Sequence, residues 1–187
     1  MKKVLIIHGF EGSPNGGWRP WLMGELAKHD IYACALAMPK PDEPICAEWV
    51  AEVQRHVEGN RDDEVYLVGH SLGVATILRY LESAPHPTNV RGAMLISGRC
   101  EKGGDPKIHN FFEKPFDYNS IQSKVKSFLI IHGDNDPYVP FDNAETLSKE
   151  LGGTLLAISN GEHLNSESGW LSLPQCLEPL MRMIGVV

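Results

Sequence analysis

Residues 65–82 constrain the chain more than any other stretch. The apolar run Val65-Tyr66-Leu67-Val68 leads into Gly69-His70-Ser71-Leu72-Gly73, and Val74-Ala75-Thr76-Ile77-Leu78-Arg79-Tyr80-Leu81-Glu82 follows at once. The first run reads as a buried strand and the last as a helix. The backbone must therefore reverse from strand to helix within one turn, with Ser71 at its tip. So sharp a turn strains the serine, and flanking glycines let strand and helix approach where a Cβ would intrude. Strand before and helix after is the context in which a G-x-S-x-G pentapeptide presents a nucleophile.

The rest of the chain alternates in the same way. Lys3 to Ile7 reads as a first strand, followed by a helix from Arg19 to His29 and a strand from Ile31 to Leu36. After the breakers Pro39, Pro41 and Pro44, the stretch Ile45 to Val57 sets Ile45, Trp49, Val50, Val53 and Val57 on one helical face. Beyond the serine turn come a strand at Gly92–Ser97, an irregular segment Arg99–Lys124, a strand at Val125–Ile131 and a helix at Asn143–Leu151. A strand at Thr154–Ile158 and a helix at Leu173–Ile184 complete the series. Strands alternating with helices imply right-handed crossovers and a mostly parallel six-stranded sheet covered on both faces, an α/β three-layer αβα sandwich. The 187 residues, 42% hydrophobic, suit one domain spanning 1–187.

Composition narrows the partners. A net charge of −7 without a basic cluster argues against nucleic acid or an anionic membrane. The apolar run after Lys2-Lys3 is too short for the core of a signal peptide, and no stretch approaches the roughly 18 apolar residues of a membrane span. Cys34, Cys46, Cys100 and Cys176 are scattered, without C-x-x-C spacing, and read as reduced, mostly buried thiols in a reducing cytoplasm. His8 and His132 end equivalent strands, but two histidines without a third ligand do not make a zinc site, and no metal or cofactor is expected.

Ligands of such sheets lie beyond the carboxyl ends of the strands. The loops there carry His8-Gly9-Phe10, Ser71, Asp134 with Asp136, and His163. A serine needs a base within reach and a carboxylate to orient that base. His163, in Asn160-Gly161-Glu162-His163-Leu164-Asn165, is the late histidine expected by the chain order Ser, Asp, His. His29, His56, His86 and His109 lie in polar stretches and read as solvated, and His70 as a wall residue turned from the serine. Two carboxylates compete for the orienting role. Asp134 follows Gly133 and suits a turn former. Asp136 is favoured, because Pro137 and Pro140 stiffen the loop presenting it.

Together Gly69-His70-Ser71-Leu72-Gly73, His132-Gly133-Asp134-Asn135-Asp136-Pro137-Tyr138-Val139-Pro140 and His163 resemble the α/β-hydrolase superfamily. Within it, the short chain without a large cap is similar to the small serine hydrolases related to retinoblastoma-binding protein 9. The resemblance covers essentially the whole chain. It implies Ser71 as nucleophile, Asp136, three residues after the loop glycine, as acid, and His163 as base. Superfamily members often carry glycine immediately before the base, where this chain has Glu162. Acyl transfer also needs oxyanion donors. The backbone N–H of Leu72 is one, and His8-Gly9-Phe10, resembling the superfamily's H-G-x loop, offers that of Phe10.

The expected function is hydrolysis of a small or medium carboxylic ester, thioester or amide through an acyl-enzyme, the substrate being a small molecule. A protein-binding module on the same scaffold is the alternative. Trp18, Trp21, Phe111, Phe112 and Phe116 are candidates to line an apolar pocket, although packing onto the body accounts for them as well.

Overall fold

The computed structural model describes residues 1–59, 62–85, 88–125 and 127–186; the surface assignment of His86 lies outside them. Its six strands are β1 (Lys2–Ile7), β2 (Tyr32–Ala35), β3 (Glu64–His70), β4 (Val90–Ile96), β5 (Phe128–Gly133) and β6 (Thr154–Ile158). They form one sheet in the order β2-β1-β3-β4-β5-β6, every neighbouring pair parallel.

Side chains of a strand alternate between the faces of its sheet, and here both faces are apolar. Leu5, Ile7, Val65, Leu67, Ala93, Leu95 and Ile130 join one core with residues of α2 (Cys46–Glu58), α3 (Leu72–Ser83) and α5 (Asp142–Leu151). Val4, Ile6, Tyr66, Val68, Met94, Ile96 and Ile131 join the other with α1 (Arg19–Ala27) and α6 (Pro174–Ile184). The result is the three-layer αβα sandwich. Among the described residues no helix is long and apolar enough to cross a membrane.

The segment between β4 and β5 is more ordered than its sequence suggests. It contains a 3-10 helix, Pro106–Phe111, and a short α4, Tyr118–Lys124. Each is capped by an aspartate: Asp105 accepts from the Lys107 N–H and Asp117 from the Ser120 N–H. The buried Arg79 of α3 fastens this segment to the body. It pairs with Glu82 at 2.8 Å, donates to the carbonyls of Phe111, Lys114 and Pro115, and lies 3.9 Å over the Phe116 ring. Phe116 and Phe111 are therefore spent on packing. β5 accordingly starts at Phe128, since Val125 caps the end of α4.

Two further expectations change. His56 and His109 are half-buried rather than solvated, and the His56 ring bonds the Glu52 carbonyl at 2.9 Å. The four cysteines are free, but only Cys176 is fully buried. Burial pushes the Cys46 and Cys100 thiols up to about 11 and that of Cys176 to about 12, which keeps them protonated and unreactive at neutral pH.

Candidate active site

Ser71 joins β3 to α3 with φ 54° and ψ −118°, a conformation few residues with a Cβ adopt. The glycines around it meet a steric need. A Cβ on Gly69 would lie 2.7 Å from Ile77 Cδ1, and one on Gly73 would collide with the Ile7 carbonyl oxygen. A Cβ on Gly9 would lie 2.8 Å from that of Ser71. The loop after β1 can therefore press against the serine only through a glycine. Phe10 follows directly, and Leu72 opens α3 as its first residue, so its N–H has no intrahelical acceptor. Both residues line the pocket above Ser71.

His163 Nε2 lies 3.1 Å from Ser71 Oγ, and its Nδ1 lies 2.7 Å from Asp136 Oδ2. A carboxylate only accepts, so Nδ1 carries the proton and Nε2 faces the hydroxyl as an acceptor. The other oxygen of Asp136 accepts from the Tyr138 and Val139 N–H groups at 2.9 and 3.0 Å. Burial alone would raise this carboxyl. The His163 ring and the two N–H groups bind its charged form, and together they hold it below the ordinary aspartate range. Asp134 is exposed and accepts from the Asn160 N–H at 2.8 Å, away from the imidazole.

The loop carrying His163 is tightly wound, with Asn160, Glu162 and Leu164 all at positive φ. Glu162, at φ 49°, takes the conformation a glycine would adopt freely, and its N–H is held by Asn135 Oδ1 at 2.8 Å. Close approach to the acid loop is made by glycines, since a Cβ on Gly161 would lie 3.0 Å from the Gly133 Cα. Three ring N–H groups then grip the loop's carbonyls. Trp170 Nε1 donates to Gly161 at 2.8 Å, His70 Nε2 to His163 at 2.9 Å and Trp18 Nε1 to Leu164 at 2.9 Å. His70 is thus a fixed donor, and burial depresses its pKa to about 3, keeping the ring neutral.

His8 and His132 are also neutral through burial. The His8 Nδ1–H meets the Gly9 carbonyl at 2.8 Å, and the His132 Nε2–H meets that of Val139 at 2.9 Å, each bracing a loop beside the serine.

Above Ser71 the pocket holds about 460 Å³, within the size of small-molecule sites. Of the five aromatic candidates only Phe112 lines it. Trp18 is fully buried and serves the His163 loop, and Trp21 packs against the α1–α6 core. Of the pocket's cationic and aromatic side chains, sequence reading missed Tyr138, Arg19 and Arg99, and beneath the His163 loop it missed Trp170. The Tyr138 ring meets that of His163 edge-on with centroids 5.2 Å apart, and Arg99 donates to the Tyr138 carbonyl at 2.6 Å. Arg19 follows Trp18 at the start of α1, and nothing in that local sequence marks it as buried.

A parallel sheet in this order, with a strained serine elbow after β3 and an aspartate and a histidine delivered after β5 and β6, defines an α/β hydrolase. The chain belongs to the serine hydrolase family, whose profile matches residues 4–182. It is 30% identical to YdeN of Bacillus subtilis (strain 168) over 174 residues, 92% of this chain and 91% of that one. To serine hydrolase RBBP9 of Rattus norvegicus it is 22% identical over 168 residues, 88% of each chain. The crystal structure of the ydeN gene product from B. subtilis superposes with a TM-score of 0.92 at 29% identity, covering 99% of this chain and 100% of the other. The protein is accordingly an enzyme of hydrolytic chemistry.

Proposed function

We propose that the enzyme cleaves small or medium carboxylic esters, thioesters or amides through an acyl-enzyme on Ser71. The observation that carries this reading is the unbroken chain Asp136 Oδ2, His163 Nδ1, His163 Nε2, Ser71 Oγ, with spacings of 2.7 and 3.1 Å and its serine end opening into the pocket.

Ser71 Oγ attacks the substrate carbonyl carbon while its proton passes to His163 Nε2. The backbone N–H groups of Phe10 and Leu72 receive the developing oxyanion. Collapse expels the alcohol, thiol or amine, which takes the proton from His163. Water then repeats the sequence on the acyl-enzyme, releasing the free acid and regenerating Ser71. Asp136 holds the Nδ1–H tautomer and stabilises the imidazolium.

Labelling with a fluorophosphonate tests the reading. Wild type takes up the probe and Ser71→Ala does not, with kcat on a short aryl ester falling by roughly a millionfold. Folded wild type without Ser71-dependent labelling would leave only a binding module on a hydrolase scaffold.

A further inference from the structure

The pocket above Ser71 contains a buried cation that the reaction does not use. Arg19 is only 7% exposed. Its Nε donates to the Ser13 carbonyl at 2.9 Å, and its guanidinium carbon lies 5.9 Å from the Trp18 ring centroid. Among the described residues no carboxylate lies within ion-pair distance, and its two terminal nitrogens bond no protein acceptor. The histidines beside it, His8 and His70, are both neutral donors to carbonyls and offer no counter-charge. Arg79 shows what a purely structural buried arginine looks like in this fold: it has Glu82 and three carbonyls.

A buried guanidinium is costly unless an anion meets it, and its planar fork matches a carboxylate. Arg19 also opens α1, whose positive end adds to its field. Glu11, Asp105 and Glu167 line the same pocket, but all three are exposed, so water and salt screen them far more than the buried cation. Arg99 lines the pocket too, but it is half-buried where Arg19 is buried, and one of its terminal nitrogens donates to the Tyr138 carbonyl.

We propose that Arg19 is the anchor for a carboxylate carried by the substrate, so that the enzyme selects monoanionic esters or amides over neutral ones. The inference rests on the hydrolase reading above. The carboxylate belongs either to the acyl part or to the leaving group, and two matched pairs of substrates separate these sources. Monomethyl glutarate is set against methyl 5-methylhexanoate, and butyryl glycolate against isobutyl butyrate, with acid release followed at pH 7.

In one pair the anionic member has a kcat/KM higher by about tenfold or more, carried mainly by KM. Arg19→Gln brings that ratio toward one, and Arg19→Lys, a point charge without the fork, restores part of it. Free glutarate at millimolar concentration raises the Tm of wild type but not of Arg19→Gln. If neutral and anionic members of both pairs are cleaved alike, or the preference survives in both variants, the Arg19 assignment is wrong while the hydrolase reading stands. If no ester is cleaved and Ser71 takes no probe, the hydrolase reading fails. The glutarate shift then decides the Arg19 site alone, its absence overturning it. Should Arg19→Gln not fold, Arg19→Lys carries the comparison, and equal cleavage of both pairs by wild type overturns the assignment without any variant.

Discussion

Asp134 and Asp136 are two residues apart on one loop, yet they face different surroundings. Asp136 has both oxygens engaged by the His163 ring and two N–H groups, whereas the Asp134 carboxylate sits in solvent and, instead of closing the turn on its own backbone, ties its loop to the next one through the Asn160 N–H. Asp136→Asn removes the acceptor that fixes the imidazole tautomer, and kcat on a short aryl ester is expected to fall about 10⁴-fold. Asp134→Asn keeps a side-chain oxygen for the Asn160 N–H, and kcat is expected within about threefold of wild type. Steady-state kinetics on the two variants distinguishes them; the reverse pattern would make Asp134 the orienting acid. The meeting of Ser71, Asp136 and His163 was legible in sequence because each occupies a loop at the same sheet edge and belongs to a residue type that acyl transfer requires. Arg19 was not. An arginine at a helix start reads as solvated, and its burial depends on the Ser13–Trp18 loop folding over it, a tertiary effect that local pattern does not encode. Trp170 escaped for the same reason, since its partner is a carbonyl nine residues earlier.

At the level of elements, the site depends on three backbones in near contact: the end of β1, the β3–α3 turn and the start of α3. Gly73 lies between them, where a methyl group would strike the Ile7 carbonyl and lie 2.9 Å from that of His8. Gly73→Ala must therefore displace α3 or the end of β1. We expect a loss of about 2–4 kcal/mol, read as a lower urea midpoint, with weaker Ser71 labelling in the fraction that still folds. Gly24, which meets nothing within 4 Å, serves as the control, and Gly24→Ala in α1 is expected to be neutral or stabilising. The strands were legible because alternating apolar side chains on two buried faces leave a plain signature, and most boundaries differ from expectation by one to three residues. The 3-10 helix and α4 were less so. They are too short to show a helical period, and their order comes from the Asp105 and Asp117 caps and from Arg79, which reaches them from α3.

For the whole molecule, buried histidines set the response to acid. His8, His70 and His132 are all held neutral by burial, with folded-state pKa values below 6.5. The unfolded chain binds their protons first, so stability is complete above the unfolded histidine pKa and falls as pH drops below it. For His70 the loss continues to about pH 3. Each such group contributes up to about 1.4 kcal/mol per pH unit within its window. Asp136 acts in the same direction at lower pH: its depressed carboxyl stabilises the fold above the unfolded aspartate pKa, and that contribution disappears as the group protonates. Urea midpoints are therefore expected to fall steadily from pH 7 to pH 4, and His70→Asn to give a flatter profile from a lower starting stability. A wild-type midpoint constant across that range would contradict the neutral, buried assignment of these rings. The grip of Trp18 and Trp170 on the His163 loop has an optical consequence. Both indoles donate to this loop's carbonyls, so any event that lifts His163 from Ser71 takes those acceptors away, opens the indole N–H groups to water and shifts their emission to the red. The chain thus contains its own gauge of whether His163 is in place beside Ser71, readable without substrate or label.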